Sequence, residues 1–300
     1  MCNRRWLERP RHAPFPSPRA SHMRRRDDDY FAGKLVVITG GTSGIGFALA
    51  EELLRRKSRV VVLADRADSV SAAVTRLGGA ERGAHGYVCD IGSIESVNDI
   101  CGGVLATHGA PDVLINNAGF AIYRTFHQEH PEDVERLMNV NFAGAVRVTK
   151  VFLDDMVKRC SGHIVNIASI SGMLPLTPNA VYGAAKHGMM GWSRCIAPEL
   201  ARFGIDITVI CPGRVKTNFF QHETYHTRRH RKETELTIPM QTVIDATLDA
   251  ILRRKFIRYV PRYYGFLAWA YHAFGPLVQR PFDKLMRSRV EDIYRIPGSS

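Results

Sequence analysis

The sequence predicts an α/β protein organised around a buried parallel sheet. Three observations lead there. Short runs rich in β-branched and other apolar residues recur at 34–39, 60–64, 112–115, 163–168 and 207–211. Continuous rather than alternating apolar character marks strands covered on both faces. The first run is followed at once by a glycine-rich turn, Gly40-Gly41-Thr42-Ser43-Gly44-Ile45-Gly46, and then by Phe47 to Leu54, whose apolar residues fall at helical spacing. Length and composition agree. The 300 residues, 45% hydrophobic and 23% charged, fit one large α/β domain or two small ones. They exclude wholesale disorder, a collagen-like repeat and a multi-span membrane protein.

The chain opens on a basic segment, residues 1–29, read as a disordered tail. Residues 1–26 hold eight arginines against one acid, Glu8, and prolines at 10, 14, 16 and 18 forbid a continuous helix. Arg4-Arg5 is not followed by the apolar core of an export signal. A start at Met23, with the upstream residues an extension, is a second reading of this segment. Most of the net charge of +12 therefore belongs to the tail, so no nucleic-acid partner is expected of the domain. The six cysteines are scattered without a C-x-x-C pair. Neither a disulfide framework nor a cysteine zinc site is expected, and a reducing compartment fits best.

The glycine turn between strand and helix has the chemistry of a phosphate cradle. A helix N-terminus offers free N–H groups and positive dipole density to a pyrophosphate, and glycines let it approach the backbone. The second strand, Val60 to Ala64, ends at Asp65, 19 residues past Gly46. A carboxylate there accepts from both hydroxyls of an adenosine ribose and repels a 2′-phosphate, which favours NAD over NADP. Arg66 is the complication, since a guanidinium beside it could pair with that phosphate.

The second constellation lies further on. Tyr182 and Lys186 stand at i and i+4, on one face of a helix. A phenol titrates near pH 10, and a nearby ammonium and an oxidised nicotinamide are both expected to lower that value, leaving Tyr182 ready as a general acid or base. Ser169 follows the run His163 to Ala168, at the strand end where doubly wound sheets receive ligands.

These residues have company. Asn116-Asn117-Ala118-Gly119 follows the third run, Asn139-Val140-Asn141 precedes Phe142, and Pro212-Gly213-Arg214-Val215-Lys216-Thr217 follows the last. Over roughly residues 32–260 the chain resembles the short-chain dehydrogenase/reductase family. The family's glycine turn matches Gly40, Gly44 and Gly46, with Thr42, Ser43 and Ile45 between them. Its catalytic Ser, Tyr and Lys match Ser169, Tyr182 and Lys186. Its water-anchoring Asn matches Asn141. Its adenine-side acid matches Asp90, with Ile91 following, and its NNAG segment supplies Asn117, Ala118 and Gly119. Its nicotinamide-side segment matches Pro212, Gly213, Val215 and Thr217. The resemblance implies a single Rossmann-type, doubly wound parallel sheet of about seven strands with helices on both faces. It implies an NAD- or NADP-dependent oxidoreductase in which Tyr182 and Lys186 also contact the cofactor. It further implies homodimers or homotetramers built through helices near 132–158 and 180–203. Pro198 falls inside the latter and is expected to kink it.

Residues 30–260 are thus read as the catalytic domain and 261–300 as a C-terminal extension packed on or near the substrate pocket. The segment 218–240, with three histidines and several cations, reads as a lid for an anionic substrate or as a solvated loop, and its histidines lack metal-ligand spacing. The aromatic stretch beginning Tyr263-Tyr264-Gly265-Phe266 has a basic flank. It is too short to span a bilayer and reads as an interfacial anchor, a hydrophobic cap or an oligomer contact. The expected substrate is lipophilic: a fatty acyl chain, sterol, retinoid or terpenoid. Peripheral membrane contact through 261–286 and a cytoplasmic or membrane-associated location follow from the same reading. The alternative is a dinucleotide-binding sensor or scaffold without turnover.

Overall fold

The computed structural model describes residues 30–215 and 237–294. The basic tail, Thr217 and most of the segment 218–240 lie outside the described residues. The elements begin β1 (Leu35–Thr39), α1 (Gly44–Arg55), β2 (Arg59–Ala64), α2 (Ala67–Leu77), β3 (Ala84–Val88), α3 (Ile94–His108), β4 (Val113–Asn116) and α4 (Pro131–Met138). A π-helical turn, Asn139–Ala143, joins α4 to α5 (Gly144–Lys158). Then come β5 (Gly162–Ile167), α6 (Ala180–Ala201), β6 (Ile205–Pro212), α7 (Met240–Leu252), β7 (Ile257–Val260), α8 (Tyr263–Ala273) and α9 (Pro276–Tyr294).

The strands form one parallel sheet in the order β3-β2-β1-β4-β5-β6-β7. Its burial explains the continuous apolar runs. Along β1 and β2, Val36, Ile38, Val60 and Val62 enter one core with residues of α1, α2 and α7. Their neighbours Leu35, Val37, Val61 and Leu63 enter the opposite core with residues of α3, α5 and α6. Adjacent positions of these two strands thus bury apolar side chains on both faces, as helix-covered parallel strands require. The chain order reverses between β1 and β4, which pair directly, Val37 opposite Leu114. Strand ends diverge at such a point, and a crevice opens beyond their C-termini.

Helix α6 runs through Pro198 to Ala201. The proline is exposed and lies in the last turn, where water can satisfy the carbonyl its ring leaves unbonded. Cys89, Cys101, Cys195 and Cys211 are free thiols. Cys160 is disulfide-bonded.

One buried titratable group belongs to the sheet. His163 of β5 places Nε2 2.8 Å from Thr208 Oγ1, whose own proton goes to the Lys255 carbonyl at 2.8 Å. The imidazole must therefore donate from Nε2 and stay neutral, and burial pushes its pKa from 6.5 down to about 3. In the unfolded chain it takes up a proton near its ordinary value. Between those two values the unfolded state binds more protons, so stability falls as the pH drops. Urea midpoints measured from pH 7 to pH 4 are expected to fall more steeply for the wild type than for His163→Gln. Parallel curves would contradict the assignment.

Candidate active site

Beyond the strand C-termini lies a cleft of about 930 Å³. One end is built by the β1–α1 turn. Gly40, Thr42, Ser43, Gly44 and Ile45 line it, and Gly40 and Gly44 have φ of +64° and +54°, a region glycine enters without strain. Gly46 does not line the cleft. A Cβ there would meet the Gly40 carbonyl oxygen at 2.3 Å and Asn117 Nδ2 at 2.5 Å, so its bareness lets α1 close onto the turn. Ser43, the N-cap of α1, makes no side-chain hydrogen bond to the helix. The first-turn N–H groups therefore have no side-chain cap, the arrangement that accepts an anion.

Asp65, Asp90, Ile91, Asn117, Ala118 and Gly119 line the wall next to this turn. Arg66 does not. It is turned to Asp68, with Nη2 2.5 Å from Oδ2 and Nε 3.1 Å from Oδ1. The carboxylate of the Asp65–Arg66 pair thus faces the cleft and the guanidinium stands outside it. Asn117 also stitches the strands. Its backbone N–H and that of Ala118 donate to Thr39 Oγ1 at 3.0 Å, and its Nδ2 donates to the Thr39 and Gly40 carbonyls.

Ser169, Tyr182 and Lys186 line the central part of the cleft. Ser169 lies two residues past β5 and caps a short 3₁₀ turn, its Oγ accepting from Ser171 N at 3.1 Å. Tyr182 and Lys186 occupy the first two turns of α6, both buried. Lys186 Nζ donates to the Ile167 carbonyl at 3.0 Å and lies 5.7 Å from the centre of the Tyr182 ring. Burial raises Tyr182 to about 12, and a hydrogen bond with Ser169 only opposes that shift. Burial likewise lowers Lys186 to about 8. Desolvation outweighs the local pair because it acts against the charged form of each partner.

Asn141 sits within the π turn and does not line the cleft. Its Oδ1 accepts from Phe120 N at 3.2 Å, and its Nδ2 donates to the carbonyls of Phe120 at 2.9 Å and Leu137 at 3.1 Å. It ties the loop after Gly119 to the α4–α5 junction. A π turn displaces the helical hydrogen-bond ladder and is frequent at functional sites.

Pro212, Gly213 and Val215 line the far side. Tyr264 of α8 packs so closely on Gly213 that a Cβ there would lie 2.3 Å from its ring. With Leu174, Leu176, Phe282, Leu285 and Met286 it makes that end of the cleft apolar. The sequence reading expects an aromatic and apolar extension packed on or near the pocket, and Tyr264, Phe282, Leu285 and Met286 belong to it; Leu174 and Leu176 lie outside that reading. It also missed Tyr123, Arg136 and Asn179, which line the cleft but carry no motif.

The short chain dehydrogenase family model matches residues 34–227. An uncharacterized oxidoreductase of Saccharomyces cerevisiae is 35% identical over 61% of this chain and 60% of its own. Dehydrogenase/reductase SDR family member 7B of Xenopus tropicalis is 32% identical over 65% of each chain. The match thus spans less than two thirds of these curated relatives. Among solved structures, a variant of actinorhodin polyketide ketoreductase with NADPH is 28% identical, with a TM-score of 0.69 over 78% of this chain and 97% of that one.

The bonding of Asn141 carries its own test. Asn141→Ala strands a buried backbone N–H and two carbonyls, so urea unfolding is expected to show a loss of roughly 1–3 kcal/mol. A change within about 0.5 kcal/mol, typical of a surface site, would contradict the bonding described.

Proposed function

The chain belongs to the short-chain dehydrogenase family, and from that premise we propose that it is an NAD-dependent oxidoreductase interconverting a lipophilic secondary alcohol and its carbonyl. The observation that carries the proposal is convergence. Ser169, Tyr182 and Lys186 line the same cleft as the glycine turn and Asp65 at one end and an apolar wall at the other.

The dinucleotide, when bound, supplies the hydride acceptor or donor. The chain's own residues do the rest. The uncapped turn of α1 receives the pyrophosphate. Asp65 takes the adenosine ribose hydroxyls, and Arg66, held by Asp68, leaves a 2′-phosphate without a cation beside it. That supports NAD, although the ketoreductase neighbour was solved with NADPH. Asp90, Ile91 and Asn117 to Gly119 wall the adenine side. Pro212, Gly213 and Val215 wall the nicotinamide side. Ser169 holds the reacting oxygen toward Tyr182. The buried phenol keeps its proton at neutral pH and so acts as the acid when a carbonyl is reduced. In the reverse direction it accepts the alcohol's proton. Lys186 holds the nicotinamide ribose, and Lys186 with a water held near Asn141 returns the proton to solvent.

The apolar wall of Leu174, Leu176, Tyr264, Phe282, Leu285 and Met286 supports a lipophilic substrate: a fatty acyl chain, sterol, retinoid or terpenoid. A homodimer or homotetramer, and peripheral membrane contact through 261–286 at the cytoplasmic side, complete the reading. Among the described residues no helix is long and apolar enough to cross a membrane.

Reduction of a series of 2-alkanones with NADH tests both halves. Tyr182→Phe is expected to lower kcat by about 10²–10⁴ while NADH binding persists. In the wild type kcat/KM is expected to climb with chain length, each buried methylene contributing up to about 0.8 kcal/mol. Retained turnover in Tyr182→Phe would sink the acid role. A rate indifferent to chain length would sink the lipophilic substrate.

A further inference from the structure

Helices α8 and α9 turn one side to the cleft and leave the other uncovered. Tyr264, Phe282 and Met286 face inward, and His272 anchors the pair through Nε2, 3.0 Å from the Met173 carbonyl. On the outside, Phe266, Leu267, Trp269, Phe274 and Leu277 are between 44% and 80% exposed. Phe266, Trp269 and Phe274 form a continuous aromatic ridge, with centroids 5.6 Å and 5.4 Å apart along it. Soluble surfaces seldom leave so many large apolar side chains together in water.

From this we infer that the outer face of α8 and the start of α9 lies on an anionic lipid bilayer, from which the cleft takes its substrate. The inference deepens the proposed function and rests on its lipophilic substrate. Three features favour a bilayer over a second copy of the chain. First, the charges are one-sided. Arg262, Arg280, Lys284 and Arg287 are exposed, and Asp283 is the one acid on a described side chain between 261 and 288. None of the four cations is ion-paired among the described residues, whereas Arg253, Arg254 and Arg258 upstream are held by Asp249 and Asp206. An isologous contact through this face would set like charges against each other, while anionic headgroups complement them. Second, the segment suits lying on a membrane rather than crossing it. An 11-residue helix such as α8 rises only about 16 Å, against a hydrocarbon core of about 30 Å. Trp and Phe beside cations form the pattern of interfacial helices. Third, the face adjoins the cleft mouth. Leu285 lines the cleft and is still 54% exposed, so an apolar substrate leaving the bilayer meets apolar wall at once.

The test is co-sedimentation of the full chain with vesicles of phosphatidylcholine alone or with about 30% phosphatidylserine, an anionic surface of the kind that attracts basic segments. Its variants, Phe266→Ala/Leu277→Ala and Arg280→Glu/Lys284→Glu, lie outside the cleft. The wild type is expected to pellet with the anionic vesicles, less so at high salt, and each double variant to bind about tenfold more weakly or worse. Tryptophan emission is expected to shift to the blue on binding, and to lose that shift in Trp269→Phe. Failure to pellet, or pelleting that neither double variant weakens, overturns the inference. So does a wild-type dimer dissociated by Phe266→Ala/Leu277→Ala, which would give the face to a second copy. NADH titration of the same samples separates the two readings. If NADH does not bind the wild type, the oxidoreductase proposal fails whatever the vesicles show. If it binds wild type and variants alike while nothing pellets, only the membrane inference fails.

Discussion

The junction of β1 with β4 is the constraint on which the rest of the molecule depends. Thr39 Oγ1, at the end of β1, accepts two backbone N–H groups from the start of the loop after β4. Asn117 returns the favour by donating to the carbonyls of Thr39 and Gly40. Four hydrogen bonds thus close the bottom of the crevice at the point where the strand order reverses. The glycine turn can then fold back only if α1 comes very close. Gly46 permits this, since any side chain there would strike the Gly40 carbonyl. The open N-terminus of α1 and the position of Asp65 follow from that closure.

The opposite wall is held from within the core. Asn116 Nδ2 donates to Thr149 Oγ1 and to Asn166 Oδ1, both at 2.9 Å. Asn166 Nδ2 donates to Ser193 Oγ at 2.8 Å, and Ser193 donates to the Met189 carbonyl at 2.7 Å. This buried polar chain links β4, β5, α5 and α6. Hydrogen bonds between buried side chains orient the elements they join, and here one of those elements carries Tyr182 and Lys186, while Asn116 Oδ1 is left without a partner. Burial has an electrostatic consequence as well. It holds the phenol protonated and brings the ammonium down toward neutrality, so proton transfer at this site depends on what else enters the cleft.

Much of this was legible in the sequence because it rests on local chemistry. A strand–glycine–helix unit, an acid at the next strand's end and a Tyr–Lys pair one helical turn apart each imply a geometry within a few residues. What escaped depended on contacts between distant segments or on burial. One local pairing also escaped: Asp68, two residues beyond Arg66, takes the guanidinium. Burial, which sequence does not display, raises the phenol, whereas the expected lowering rests on the ammonium together with an oxidised nicotinamide. The closure of Tyr264 onto Gly213 joins residues fifty positions apart, and neither carries a signal for the other.

The most direct test of the account is the choice the cleft makes between two dinucleotides. Fluorescence titration of NADH and NADPH onto the wild type and Asp65→Ala reads it in one experiment. The account predicts that the wild type binds NADH at least about tenfold more tightly than NADPH, a difference of about 1.4 kcal/mol. It also predicts that Asp65→Ala erases or reverses the gap. Tighter binding of NADPH by the wild type, or a ratio unmoved by the substitution, would contradict it.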